Sequence, residues 1–193
     1  MLQDLLISKV RVKILQLFFG NPSQIFHVRE IVRRTSEEIN AVRRELAHLE
    51  KGAVLSSEWR ANRRCYSLRK DYAIYSELSA IVNKTCGLGG EIIKNKAKLG
   101  RIKYAIMSRS FTVGKPYDPN KVDILIVGNV VLPELGALVR EEEARREREI
   151  NFTPMTEEEF TFRKNRRDPF IFSILQEPRI MLIGDEEEMI RPA

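Results

Sequence analysis

Seven polar side chains in the first half of the chain are of types that recognise nucleic acid. Arginine can donate two parallel hydrogen bonds to guanine or to a phosphate, and asparagine pairs in a similar way with adenine. Four belong to one predicted helix and three to a predicted hairpin: Asn40, Arg43, Arg44 and Lys51, and Arg60, Arg63 and Arg64. We expect the first three to contact bases and nearby phosphates, Lys51 to reach a backbone phosphate, and the hairpin arginines to contact the backbone or the narrow minor groove.

A solvated surface is the alternative for each basic group taken singly. Basic helix faces often only face water, and an arginine-rich turn often keeps a hairpin soluble. The succession of a basic helix and an arginine-tipped hairpin is more informative, because the two together provide one set of base contacts and one set of backbone contacts.

Two short helices are predicted to position the first group. The apolar spacing of residues 28–34 predicts a two-turn helix. Thr35 and Glu38 then have the spacing of a capping box, which predicts that a second helix starts near Ser36. Apolar residues recur in that second helix at spacings of three and four, which buries one stripe and leaves the basic side chains outside. The stripe consists of Ile39, Val42, Leu46 and Leu49.

A hairpin follows the second helix. Gly52 is placed to end the helix, since glycine readily takes the conformation needed after a last helical turn. The residues beyond it predict a strand over 54–59, a turn over 61–64 and a returning strand over 65–68. Residues 24–27 are predicted to add a short third strand beside the hairpin.

The stretches Ile-Val-Arg-Arg-Thr at 31–35 and Ala-Val-Arg-Arg-Glu-Leu-Ala-His-Leu-Glu-Lys-Gly at 41–52 closely resemble the helix-turn-helix core of winged-helix transcriptional regulators of bacteria and archaea. The resemblance covers about residues 8–85. It implies sequence-specific binding to double-stranded DNA, with the second helix in the major groove and the hairpin as the wing.

Two further helices are predicted in this half. One covers residues 2–19, and a second has an amphipathic stripe from Tyr72 to Val82, which we interpret as the interface of a homodimer. The glycine-rich residues 86–90 are unfavourable in a helix and predict a domain boundary. The expected domains are therefore 1–86, a winged-helix domain, and 87–193.

Composition and charge narrow the class of protein. The 193 residues are 43% hydrophobic, with no apolar run long enough to span a membrane and no recognisable signal peptide, so we expect a cytoplasmic protein. Two cysteines and two histidines without metal-ligand spacing predict free thiols and no metal. The net charge of +6 lies wholly in residues 1–86, which hold 15 Lys and Arg against 9 Asp and Glu, as expected for a DNA-binding module.

The second half has a mixed α/β pattern. It predicts helices over 91–99, 134–148, 157–164 and 169–175, and strands over 102–107, 122–127, 149–153 and 180–183. The charged run 141–148 is expected to form ion pairs on a solvated helix face, and the acidic run 185–188 to form a tail.

A catalytic signature is present in this half, but it is incomplete. Residues 107–114 and 122–128, together with an ending over 168–184, resemble the minimal nucleotidyltransferase fold, over about residues 90–185. The family has a Gly-Ser pair after one strand and an Asp-x-Asp that holds a divalent metal against a nucleoside triphosphate. Here Ser110 and Asp123 match that pattern, but Arg109 replaces the glycine, Lys121 replaces the first aspartate and Asn151 stands near the third carboxylate position. We therefore expect a degenerate remnant without catalysis, metal or cofactor.

The fold class that follows is α+β, with an N-terminal winged helix-turn-helix and a small α/β nucleotidyltransferase-like domain that has a mixed sheet. The second domain would serve dimerisation, docking of a protein partner, or sensing of a nucleotide at an anion pocket of Arg109, Lys115 and Lys121. One alternative is an active nucleotidyltransferase, antitoxin-like or RNA-modifying, that is targeted by its winged helix. Another is a winged helix that binds a protein instead of DNA.

Overall fold

Residues 8–191 are described by a computed structural model, in which they form ten helices and seven strands of an α+β protein. The strands make two sheets. The chain divides into two units, and their boundary in the sequence lies between Cys86 and Gly87. No helix within residues 8–191 is both long and apolar enough to cross a membrane.

The first unit packs helices against a three-stranded antiparallel sheet of order β1-β3-β2. Its elements are α1 (Lys9–Gly20), β1 (Ile25–His27), α2 (Val28–Thr35), α3 (Ile39–Lys51), β2 (Leu55–Arg60), β3 (Arg63–Leu68) and α4 (Tyr75–Thr85). The predicted third strand is confirmed, since Ile25 pairs with Ser67. Phe18 and Phe26 meet edge to face at the centre of the core, with ring centroids 5.4 Å apart.

The first helix begins later than predicted. Ser8 has an extended backbone, and its hydroxyl accepts a hydrogen bond from the Arg11 N–H at 3.2 Å, so that Ser8 caps a helix starting at Lys9. A continuous helix over 2–19 is therefore wrong at Ser8, and the part of that prediction before it lies outside the described residues.

The predicted capping box at Thr35 is also wrong. Thr35 is the last residue of α2, and its hydroxyl donates back to the Ile31 carbonyl at 2.7 Å. Ser36 then takes a left-handed conformation, which ends the helix. Glu38 caps α3 instead, because its carboxylate accepts from the N–H groups of Asn40 and Ala41 at 2.8 and 2.9 Å.

The hairpin turn is shorter than predicted. Only Ala61 and Asn62 form it, both at positive φ, and Arg63 already pairs with Arg60. Arg63 and Arg64 therefore belong to β3 and not to the turn. In α4, Tyr75 and Val82 are buried, while Ile81 remains 44% exposed.

The second unit is built on a four-stranded mixed sheet of order β6-β5-β4-β7, in which β5 and β6 are parallel and the other pairs antiparallel. Its elements are α5 (Gly87–Lys94), β4 (Gly100–Ser108), α6 (Arg109–Thr112), β5 (Ile124–Val130), α7 (Leu132–Arg146), β6 (Phe152–Met155), α8 (Glu157–Asn165), α9 (Pro169–Gln176), β7 (Arg179–Ile183) and α10 (Glu186–Ile190). Apolar clusters cover both faces of the sheet.

Two segments of this unit differ from the sequence-based expectation. The glycine-rich stretch, which was expected to be unfavourable in a helix, forms the start of α5, since burial of Leu88 and Ile92 stabilises a helix that glycine alone disfavours. The acidic run after β7 is not a tail. Asp185 caps α10 by accepting from the Glu188 N–H at 2.8 Å, and Met189 anchors that helix in the core.

Candidate functional site

A groove of about 580 Å³ lies between α3 and the β2–β3 hairpin, within the first unit. We call it the α3–hairpin groove. Its cationic lining residues are Arg29, Arg43, Arg63 and Arg64, and its apolar ones are Val28, Ile39, Ala47, Trp59, Ala61 and Tyr66, with His27 and Asn62 completing the wall. The groove therefore combines positive charge with flat apolar surface.

The periodicity of α3 explains which side chains face the groove. Ile39, Arg43 and Ala47 follow one another at intervals of four, so that they form one line along the helix. The neighbouring line, represented by Val42 and Leu46, is fully buried and fixes the rotation of α3 against the core.

The start of α3 carries a negative charge close to the basic residues. The hydrogen bonds from the Asn40 and Ala41 N–H groups lower the pKa of Glu38, and the nearby charges of Arg44 and Arg43 lower it further. Glu38 is therefore ionised at neutral pH and fixes the backbone that leads into the basic face.

The hairpin is attached to α3 by polar contacts at the far end of the groove. Arg64 Nη2 donates to Glu50 Oε2 at 2.7 Å, and Arg64 Nε donates to the Ser57 hydroxyl at 3.1 Å. Ser57 in turn donates to Glu50 Oε1 at 2.5 Å. The guanidinium of Arg64 also lies 5.5 Å from the centre of the Tyr66 ring. These contacts hold the hairpin against α3.

The structure brings together only part of the predicted nucleic-acid contact set. Of the seven predicted residues, Arg43, Arg63 and Arg64 line the groove. The remaining side chains on α3 are exposed outside the groove lining, and they are Asn40, Arg44 and Lys51. Arg60 pairs with Glu58 at 2.5 Å, and Arg64 is held by Glu50, so these two guanidinium groups are engaged within the protein.

Sequence reasoning missed two residues of the groove, Arg29 and Trp59. Arg29 lies in the first turn of α2, where the sequence pattern predicts only a helix. Trp59 lies in β2 and is 73% exposed, whereas the sequence pattern predicts only that it belongs to a strand of the hairpin. A tryptophan two residues before an arginine-flanked turn was the available signal, since large aromatic side chains are enriched at binding surfaces.

Asp123 in the second unit is buried and paired with a cation from its own chain. Arg148 Nη2 lies 3.0 and 3.1 Å from the two carboxylate oxygens, and the Asn151 N–H donates to Oδ2 at 3.2 Å. Burial raises the pKa of Asp123, while the Asn151 hydrogen bond and the Arg148 charge act in the opposite direction. Arg148 also donates to the Lys115 carbonyl at 2.8 Å, which fixes its guanidinium in place.

The predicted solvated charge run beside this pair is partly buried, which corrects that expectation. Glu142 and Arg146 have almost no exposed side-chain surface and form an ion pair. The Arg146 guanidinium stacks over the Phe111 ring, 4.5 Å from its centre. The helix end therefore contributes arginines to the interior around Asp123.

The three predicted anion-binding residues do not gather in one pocket. A pocket of about 220 Å³ beside Asp123 is lined by Lys121, but not by Arg109 or Lys115. Lys121 Nζ lies 3.7 Å from Glu177, which also lines that pocket. The pocket lining also includes Asp123 and Arg179, so it contains two cationic and two anionic residues.

The other matched positions serve local structure. The Ser110 hydroxyl lies 2.9 Å from that of Ser108, and the Asn151 amide donates to the carbonyls of Asp118 and Lys121. Across residues 8–191, no group of three or more His, Cys, Asp or Glu side chains has an arrangement that could hold a metal ion.

Comparison of the chain with protein-family models, with curated proteins and with solved structures found no match in any of the three. The residues of the α3–hairpin groove and those around Asp123 are therefore the basis on which function is inferred.

Proposed function

We propose that the chain is a transcriptional regulator that binds double-stranded DNA through α3 and the β2–β3 hairpin. The α3–hairpin groove is the observation that carries this proposal. Arg29, Arg43 and Arg63 line it, and none of these three forms an ion pair with a described residue. Concave surfaces with unneutralised cations attract anionic polymers, and phosphate neutralisation supplies much of the affinity for DNA.

The mode of binding proposed is that of a winged helix. α3 would enter the major groove, where Arg43, Arg44 and Asn40 reach base edges and adjacent phosphates. Arg63, at the end of the hairpin, would contact the backbone. The exposed positions of all four side chains support this assignment.

The proposal includes a homodimer formed through α4. Ile74 and Ile81 at this helix are 52% and 44% exposed, so they offer apolar surface that a second copy would cover. Two copies would present two α3 helices to successive turns of the major groove, which requires a palindromic site.

For the second unit we propose a nucleotidyltransferase-like fold without catalysis, which serves dimerisation, partner docking or ligand sensing. The Arg148 guanidinium on Asp123 supports this reading, because it neutralises the one carboxylate that the signature retains. Incubation with labelled ATP and Mg²⁺ tests it. Nucleotide transfer that Asp123→Ala abolishes would instead assign the unit to active nucleotidyltransferases.

Selection of bound duplexes from a random pool tests the DNA-binding role. We expect enrichment of a palindrome whose half-site centres lie about 10 base pairs, or a multiple of that, apart. Binding should weaken steeply as salt rises, because counterions are released from phosphates. A pool that shows no enrichment and no salt-dependent binding would overturn the proposal and favour a protein partner.

A further inference from the structure

Trp59 is the most exposed large apolar side chain of the described residues, with 73% of its surface accessible. Exposed tryptophan is uncommon, since its indole ring gains more than most side chains from removal from water. At this exposure the ring removes little apolar surface from water within the described residues.

The register of the hairpin determines which side of it Trp59 occupies. Trp59 pairs with Arg64, and two residues earlier Ser57 pairs with Tyr66. Because side chains alternate along a strand, these four residues share the face that is turned toward α3. Trp59 accordingly lines the α3–hairpin groove, as do Arg43 and Arg63.

Within residues 8–191 the indole ring has no stacking partner and no cation over its face. The arginine opposite it turns away, since Arg64 is bound by Glu50 and lies over the Tyr66 ring. The flat face of the Trp59 ring is thus left open in a groove that Arg29, Arg43 and Arg63 also line, and these arginines form no ion pair with a described residue.

We propose that Trp59 is the non-ionic anchor of the DNA interface, and that its ring packs on the flat apolar face of one nucleotide in the strand that occupies the groove. This inference rests on the proposed DNA-binding function and goes beyond it. The arginines would hold the phosphates on either side, and the indole would bind the deoxyribose of an intact duplex or an unstacked base. Both of these present the apolar face that aromatic side chains bind in nucleic-acid complexes.

The chain contains a single tryptophan, so its fluorescence reports on this one position. The first measurement is acrylamide quenching of the full-length protein, alone and with a saturating duplex from the selected pool. We expect the quenching constant to fall at least about twofold in the complex, because the bound strand covers the ring. Shielding with unchanged emission indicates deoxyribose. Strong loss of emission, with tighter binding to a duplex that has an unpaired overhang, indicates a base.

Affinity measurements on variants complete the test. Trp59→Ala should bind the duplex about tenfold more weakly, with the same dependence on salt, because the ring neutralises no phosphate. Trp59→Phe should recover most of the loss. Arg63→Ala should instead reduce the slope of log Kd against log salt by about one. Phe162→Ala, which removes a 57% exposed aromatic ring from the second unit, should bind like the wild type.

The outcomes separate the two proposals. If the wild type binds duplex but its quenching constant is unchanged, or Trp59→Ala binds equally well, the anchor role is overturned while DNA binding stands. If the wild type binds no duplex, both proposals fail.

Discussion

Arg63 and Arg64 show how a one-residue step along a strand separates two roles. Arg64 is bound by Glu50 and Ser57, while Arg63, next to the turn, forms no ion pair with a described residue. Both residues border the α3–hairpin groove, although alternation along β3 places their side chains on opposite faces of the strand. The sequence alone does not distinguish the two arginines. The register of the hairpin does, because it places Arg64 beside Glu50 and leaves Arg63 available to a ligand.

Arg43 is the residue on which base recognition most depends in our proposal. We predict that Arg43→Ala weakens binding to the selected site by about 1–3 kcal/mol and relaxes base preference, because it removes a bidentate contact. Anisotropy titrations with the selected and a scrambled duplex measure both effects. Arg101→Ala, an exposed arginine of the second unit, is the matched control. Equal losses on both duplexes would contradict a base contact.

Arg148 is predicted to be a stability determinant whose effect depends on pH. Burial raises the pKa of Asp123, so this group favours folding at low pH and that contribution is lost as pH rises through its folded pKa. Arg148→Met raises that pKa further by removing a positive charge. We expect a loss of about 3 kcal/mol at pH 7, from leaving a buried carboxylate unpaired, and a smaller loss at about pH 5.

Urea denaturation of the wild type and of Arg148→Met, each at pH 7 and at about pH 5, measures the loss of unfolding free energy at the two pH values. The double variant Asp123→Asn, Arg148→Met should lose the part of the pH dependence that comes from Asp123, because the asparagine amide does not titrate. Equal destabilisation by Arg148→Met at both pH values would contradict protonation of Asp123 between pH 7 and pH 5 in the variant.

The turn of the hairpin is an element whose geometry can be improved. Ala61 has a φ of 40°, in a region that a Cβ disfavours and glycine does not. We predict that Ala61→Gly stabilises the protein by about 0.5–1 kcal/mol. Ala47→Gly, the same change in the interior of α3, should destabilise it by a similar amount. Thermal unfolding of both variants is the measurement, and a lower Tm for Ala61→Gly would refute the reading of the turn.

Much of the element pattern could be predicted from the sequence, because it depends on local periodicity. The third strand is confirmed, as is burial of Val42, Leu46 and Leu49 in the predicted α3 stripe. The fourth stripe residue, Ile39, is only partly buried and lines the α3–hairpin groove. The cap of α3 was misplaced because Thr35 can bond either forward to an N–H or back to Ile31, and local sequence does not choose between these. The pairing of Asp123 with Arg148 joins residues 25 positions apart, so no spacing rule indicates it.

At the scale of the whole molecule, the proposed dimer predicts a specific failure. Ile81→Glu should give a monomer in sedimentation experiments and weaken binding to the palindrome, because charge is introduced into an apolar interface. Ile190→Glu, a similarly exposed isoleucine of the second unit, is the control. A dimer that survives Ile81→Glu would place the interface elsewhere.

Glu50, Ser57 and Arg64 brace the hairpin, and under the proposed function this bracing would also affect the rate of DNA association. A hairpin that is already held in its binding position loses little conformational entropy when a ligand docks, and it needs no slow rearrangement after encounter. Association would then be controlled by diffusion under the attraction of the basic first half, and its rate would fall as ionic strength rises. Loss of the Glu50 carboxylate would therefore have two opposing effects on the association rate: it would loosen the hairpin, and it would add one positive charge to the basic half.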